Sequence, residues 1–184
     1  MDTRAEPRNH KFPKAGRAQL RRTHQVVRAL CGSILLAGQL AAASECPPDD
    51  ALVVVDTAAH KLRLCEKGVA VRVFRVALGR GGIRKRKEGD NKTPLGVYPL
   101  GTPQPSSRFV LFIPIGYPTK EQAAAGLTGT DVGIHGPNQQ FAWLGEANLW
   151  SDWTAGCVAV STDAAIQAIA TWVLAKQVGS IVLK

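Results

Sequence analysis

From residue 51 onward the chain is built of short apolar runs, alternating or continuous, punctuated by glycine, proline and aspartate. Residues 51–55 and 61–65 are β-rich runs separated by Asp56-Thr57-Ala58-Ala59-His60, which predicts a hairpin with His60 as a solvated turn residue. Residues 69–78 read as a third, longer strand, with Val69, Val71 and Val73 at alternate positions and charges between later ones. Residues 96–100, 109–115, 132–135, 157–160 and 180–183 complete the predicted strands. Two stretches carry helix signals. Thr119-Lys120-Glu121-Gln122 has capping-box spacing and opens a short Ala-rich turn that ends at Gly126. Ser161-Thr162-Asp163 offers an N-cap to a second helix with Ile166, Ile169, Ala170 and Val173 on one face and Gly179 shortly beyond its end. Many short strands with two helices predict a mainly β domain with a helix packed on its sheets.

The first 44 residues follow a different pattern. Residues 1–28 hold eight Lys/Arg against two Asp/Glu, and residues 29–43 are apolar except for Ser33 and Gln39. Ala41-Ala42-Ala43-Ser44 then places small residues where a signal peptidase cuts. Residues 1–44 are therefore expected to be a secretory signal peptide, with an uncleaved N-terminal anchor as the alternative. The apolar run is shorter than the ~20 residues of a membrane-spanning helix. Residues 45–184 are expected to form one domain, secreted across the inner membrane to the periplasm or cell surface, with membrane contact only if the leader is retained.

This division changes the meaning of the charge. The chain carries +9, but residues 1–43 supply +6 of it, so about +3 remains on the mature part. The basic balance mostly reflects targeting, and nucleic-acid binding is not expected. Cysteine usage also sharpens. Cys31 falls in the leader, leaving Cys46, Cys65 and Cys157. In an oxidising compartment Cys46 and Cys65 can bridge, since one precedes the first predicted strand and the other ends the second; three buried free thiols are the alternative.

Cys157 ends the run Thr154-Ala155-Gly156-Cys157, 22 residues after His135 in Ile134-His135-Gly136. A thiol becomes a nucleophile when a neighbouring base takes its proton, and His135 is the candidate base. A glycine before the cysteine lets the backbone bend so that N–H groups point at a developing oxyanion. Metal binding fails on ligand count, because residues 45–184 hold only His60 and His135, and two of the three cysteines have a disulfide as their fate. No metal and no cofactor is expected.

Two separate stretches resemble one family. Glu88-Gly89-Asp90-Asn91-Lys92-Thr93-Pro94-Leu95-Gly96-Val97-Tyr98 is similar to the Gly-Asp…Thr-Pro-x-Gly-x-Tyr segment of the L,D-transpeptidase (YkuD-type) catalytic domain. His135-Gly136 followed by Thr154-x-Gly156-Cys157 resembles that family's catalytic signature, in the family's order. The resemblance implies a β-sandwich with one or two packed helices and a secreted enzyme acting on peptidoglycan stem peptides. It implies Cys157 as nucleophile, His135 as general base and acid, Gly156 as a backbone oxyanion donor and Thr154 as support for the loop or oxyanion. The donor would be a tetrapeptide stem that loses its terminal D-alanine and is joined to an acceptor amine.

Two positions depart from the commoner pattern: Ala155 stands where many members have His, and Ala159 where many have Arg. An arginine there would bind a carboxylate by paired hydrogen bonds, which alanine cannot do. The ending Cys157-Val158-Ala159-Val160 resembles a subgroup of which one branch hydrolyses links between peptidoglycan and an attached protein. A cysteine hydrolase or amidase, with a wall-linked protein as a partner, is therefore the first alternative, and a non-catalytic cell-wall-binding module the second. For substrate binding the sequence offers Gly136, Trp153, and Arg84 and Arg86 from the basic run 79–90 as a replacement for the missing cation. Phe141, Trp143 and Trp150 lie with Trp153 between the two motifs, as packing or as a groove wall, and Trp172 is expected in the core. Asp131 and Asp152 are candidates to orient His135, with a backbone carbonyl as the alternative. Asp90 and Thr93 read as turn-forming residues.

Overall fold

The computed structural model describes residues 45–184. The predicted leader, with Cys31, lies outside the described residues. Among the described residues nine strands form two sheets. The first sheet has the order β3-β2-β1-β9-β4, from β1 (Leu52–Asp56), β2 (Lys61–Glu66), β3 (Val69–Arg75), β4 (Gly96–Pro99) and β9 (Ser180–Leu183). The second has the order β5-β6-β7-β8, from β5 (Gln104–Ser106), β6 (Val110–Pro114), β7 (Gly133–His135) and β8 (Val158–Ala159). This is the mainly β domain expected from the pattern and the sandwich that the family resemblance implied. Among the described residues no helix is long and apolar enough to cross a membrane.

Period-2 alternation sorts side chains between the two faces of each sheet. Val53, Val55, Leu62, Leu64, Tyr98, Ile181 and Leu183 of the first sheet meet Ile113, Ile134 and Val158 of the second in one core. Helix α2 (Asp163–Ala175) adds Ile166, Ile169, Ala170 and Val173, the face read from its periodicity. Its N-cap is Thr162, whose side chain accepts from Ala165 N–H. The short helix α1 (Lys120–Ala124) has the full capping box, Thr119 and Gln122 bonding each other's backbone. Trp172 sits at the edge of the core and donates its indole N–H to Glu66 at 2.8 Å.

The predicted 51–65 hairpin forms, with Val53 opposite Leu64 and Asp56 opposite Lys61. The expected third strand is shorter than its apolar run. After Arg75 the chain leaves the first sheet, and Val76, Ala77 and Leu78, each 1% exposed, cross to the second, where Ala77 bridges Ala159 and Gly79 bridges Thr154. The alternating Val69, Val71 and Val73 face solvent on an edge strand. Two elements carried no sequence signal: β5, three residues with a central proline, and a 3-10 segment over Gln139–Leu149. A disulfide joins Cys46 to Cys65, with Cα atoms 5.6 Å apart, and fastens the start of the described chain to β2.

Candidate active site

Strand register brings His135 and Cys157 to one face. β7 and β8 run parallel, with Ile134 opposite Val158 and His135 opposite Ala159. Ile134 and Val158 both point into the core, so His135, Cys157 and Ala159 project from the opposite face. Cys157 falls beside Gly133 and diagonal to His135. Diagonal neighbours on one sheet face stand about 7–8 Å apart along the backbone, within reach of longer side chains. Both residues line a cleft of about 330 Å³ with Arg80, Arg108, Phe109, Asp131, Trp153 and Thr154.

His135 forms the floor of this cleft and is 1% exposed. Its ring stacks on Phe109 at 3.9 Å between centroids and meets Trp153 edge-on at 5.6 Å. Burial among these rings lowers its pKa to about 4; the bond to Gly136 O opposes the shift and the Arg108 charge adds to it. The imidazole is thus neutral at physiological pH. Nδ1 lies 2.7 Å from Gly136 O and donates to it, which leaves Nε2 as the basic nitrogen. A backbone carbonyl, and neither Asp131 nor Asp152, orients the ring. Asp152 instead accepts from Leu78 N–H at 2.7 Å and meets His60 Nε2 at 3.1 Å, so His60 ties the first hairpin to the loop before Cys157.

The Cys157 thiol is partly exposed and donates to Asp131 O at 3.4 Å. Among the described residues no hydrogen bond joins it to His135. Burial pushes its pKa up to about 11; the Gly133 N–H opposes this, the Asp131 charge adds to it, and the Lys85 and Arg108 charges oppose it. Gly133 carried no weight in the sequence, yet it provides that N–H, and a Cβ there would run into the Phe112 ring and Ile113 O.

The turn before the sulfur is closed by Thr154, which is buried. Its hydroxyl donates to Cys157 O at 2.8 Å and accepts from Gly156 N–H at 3.0 Å. This corrects the expectation for Gly156: its N–H is taken within the turn and does not point at a substrate. The neighbouring Cys157 N–H takes no part in that turn. Gly156 is required for shape, with φ at +127° and a Cβ placed only 2.6 Å from Lys92 O. Gly136 likewise serves packing, because a Cβ there would lie 2.6 Å from Phe109 O.

Lys85 is buried behind this turn. Its Nζ donates to Asp90 at 2.9 Å and to Lys87 O at 3.2 Å. Asp90 also accepts from the N–H groups of Arg86, Lys87 and Lys92. Burial alone would raise the Asp90 pKa, but these donors hold it well below the usual carboxylate range. Thr93 Oγ1 accepts from Gly79 N–H at 2.8 Å, so the Gly-Asp…Thr-Pro segment forms the wall against which the Cys157 turn rests. Arg84 and Arg86 are exposed on this loop and do not line the cleft, contrary to expectation. The cations that do are Arg80 and Arg108. Trp153 lines both the cleft and an adjoining hollow of about 340 Å³ with Phe141, Leu144 and Arg108. Trp143 and Trp150 are 79% and 82% exposed and belong to neither lining.

Fold and site together define a β-sandwich protein with a thiol and a neutral imidazole in one open cleft. The chain belongs to the L,D-transpeptidase catalytic domain family (YkuD), which matches residues 50–182. No curated protein matches the chain significantly. Among solved structures, the helical cell shape determining protein Pgp2 from Campylobacter jejuni is 24% identical with a TM-score of 0.61, over 77% of this chain and 50% of that one. Bd1075 from Bdellovibrio bacteriovorus is 17% identical with a TM-score of 0.53, over 74% and 48%. The chain spans about half the length of these two relatives, and the likeness to them is one of fold.

Proposed function

We propose that this protein is a secreted L,D-transpeptidase that acts on peptidoglycan tetrapeptide stems through a thioester on Cys157. The observation that carries this reading is the shared cleft, in which Cys157 and His135 project from one sheet face. The resting thiol is protonated and the resting imidazole neutral, so no preformed ion pair attacks. Cys157 rotates from Asp131 O towards Nε2 of His135, which takes the proton as sulfur bonds to the scissile carbonyl carbon. The oxyanion faces the Cys157 N–H; one such donor is worth about 3 kcal/mol in the transition state. As the tetrahedral intermediate collapses, the C–N bond breaks, nitrogen keeps the electron pair and the imidazolium returns the proton to the departing D-alanine amine. An acceptor amine then attacks the thioester, loses a proton to His135, and the thiol is restored as the cross-link forms.

Hydrolysis is the second reading, and the ending Gly156-Cys157-Val158-Ala159 favours it. Water would replace the amine in the last step, releasing a tripeptide stem or a wall-linked protein. A non-catalytic cell-wall-binding module is disfavoured by the retention of both reactive groups in one cleft. Incubation with a disaccharide tetrapeptide, with and without an acceptor amine, separates the three by mass. A thioester on Cys157 with dimer marks transfer, and a thioester with tripeptide or freed conjugate marks hydrolysis. Absence of any adduct would leave the binding module.

A further inference from the structure

A third hollow, of about 380 Å³, is assembled from three separate stretches of the chain. The turn of the first hairpin gives His60, the end of β3 gives Arg75, and the connection between β7 and β8 gives Trp150, Ser151 and Asp152. None of these residues lines the cleft of Cys157 and His135. Trp150 is 82% exposed, and among the described residues its indole has no hydrogen bond, ring contact or cation beside it. A single exposed tryptophan is ordinary on a surface. What sets this one apart is its company: Trp143, at 79% exposure, lines none of the hollows described, whereas Trp150 forms the wall of one whose other side chains are mostly polar.

The polar groups are held in place and keep capacity to spare. Asp152 Oδ1 accepts from Leu78 N–H at 2.7 Å and Oδ2 meets His60 Nε2 at 3.1 Å, and each carboxylate oxygen can take a second donor. Arg75 is exposed and, among the described residues, forms no ion pair, whereas Arg63, Lys85 and Lys176 all do. The Ser151 hydroxyl can both donate and accept. Arg75 and Asp152 balance each other in charge, so the hollow does not favour an anion, and its polar side chains do not favour an apolar peptide segment. A pyranose ring fits both features. The axial C–H groups of one face lie against the electron-rich indole, and the equatorial hydroxyls point outward in the ring plane towards donors and acceptors.

We propose that this hollow is a saccharide-binding site, in which Trp150 is the platform for one ring of a β-linked glycan and Arg75, Ser151 and Asp152 bond its hydroxyls. The site works by binding alone. It needs neither Cys157 nor His135 and does not depend on the acyl-transfer reading. The bonds from Asp152 to Leu78 and His60 join the connection to the first sheet before any ligand arrives, so little ordering is left for binding to oppose. Its position gives the site a use. Ser151 lines both this hollow and the one walled by Phe141 and Trp153, and Trp153 and Arg108 carry that second hollow into the cleft. A glycan held at Trp150 therefore keeps the cleft close to whatever the glycan carries.

The probe is the tetramer of β-1,4-linked N-acetylglucosamine, which is uncharged and carries no peptide. Titration calorimetry of the protein is expected to give a Kd of about 0.1–1 mM, the range of a small site built on one aromatic platform. Trp150→Ala should weaken binding about tenfold or more through loss of the stacking surface. Arg75→Gln should weaken it about three- to tenfold, the worth of one hydrogen bond. Trp143→Ala removes an indole of similar exposure outside the hollow and should leave the affinity unchanged. Both tryptophans stand in solvent, so these variants are expected to keep the parent's circular dichroism. No binding at about 10 mM tetramer would overturn the proposal. So would full affinity in Trp150→Ala, or equal weakening in Trp143→Ala, which would mark a general stickiness of exposed indoles. Thioester formation is read separately, by mass on the tetrapeptide, and its failure would leave this result untouched.

Discussion

Alkylation of Cys157 by iodoacetamide should climb steeply with pH and scarcely notice the loss of His135. The thiol's pKa of about 11 stands two units above its ordinary 9.0, so near neutral pH it holds about 100-fold less thiolate than a typical cysteine. A more basic thiolate is more nucleophilic, with a Brønsted slope of about 0.4–0.5, which restores a factor of roughly 8. The net expectation is a rate about tenfold below that of a model peptide, rising tenfold per unit between pH 7 and 10. His135, neutral above about pH 4, cannot hold the thiolate as an ion pair, so His135→Ala should change this rate less than about threefold while removing turnover. The assay is the time course of mass increase on the peptide containing Cys157. A rate that is flat between pH 5 and 8, or one that falls more than tenfold in His135→Ala, would mean a preformed thiolate–imidazolium pair and refute the reasoning.

Acid stability reports the same imidazole. A pKa of about 4 in the fold against 6.5 unfolded means the unfolded chain takes up the proton first. Stability is whole above pH 6.5 and falls by about 3 kcal/mol as pH drops towards 4, a loss in the urea midpoint that His135→Asn should largely remove. Asp90→Asn strands a Lys85 ammonium whose side chain is 4% exposed; the expected cost is about 3–5 kcal/mol by urea unfolding, and a loss under about 1 would show the pair to be dispensable. Reducing the Cys46–Cys65 bridge, which spans 19 residues, should cost about 3 kcal/mol in the same assay. Gly156→Ala, with its Cβ against Lys92 O, should abolish thioester formation even where circular dichroism shows a retained fold.

The sequence made the hairpin, α2 and the two motifs legible because each is written in local chemistry. Turn residues bracket β1 and β2, Thr162 caps an apolar stripe, and glycines flank His135 and Cys157. What it concealed depends on register and on neighbours distant in the chain. Residues 76–78 continue the apolar run of β3, yet they bend into the second sheet because Ala77 bonds to Ala159. The turn around Thr154 consumes the Gly156 N–H, an outcome fixed by one hydroxyl and invisible in a Gly-Cys pair. Arg84 and Arg86 stood out by crowding, whereas Arg108, a single cation between Ser107 and Phe109, reaches the cleft through strand pairing. Gly133 matters because parallel pairing sets it beside the sulfur and because a Cβ there would meet the Phe112 ring.

Parallel pairing of β7 with β8 has a wider consequence. Two strands that run the same way cannot be joined by a tight turn, so the 21 residues between His135 and Cys157 must swing out over the surface and return. That excursion supplies Phe141, Leu144 and Trp153 to the walls while the reacting pair stays on the sheet. Lengthening or trimming the excursion would remodel the antechamber and leave the chemistry in register. A scaffold of this kind can change its clientele without having to reinvent its reaction.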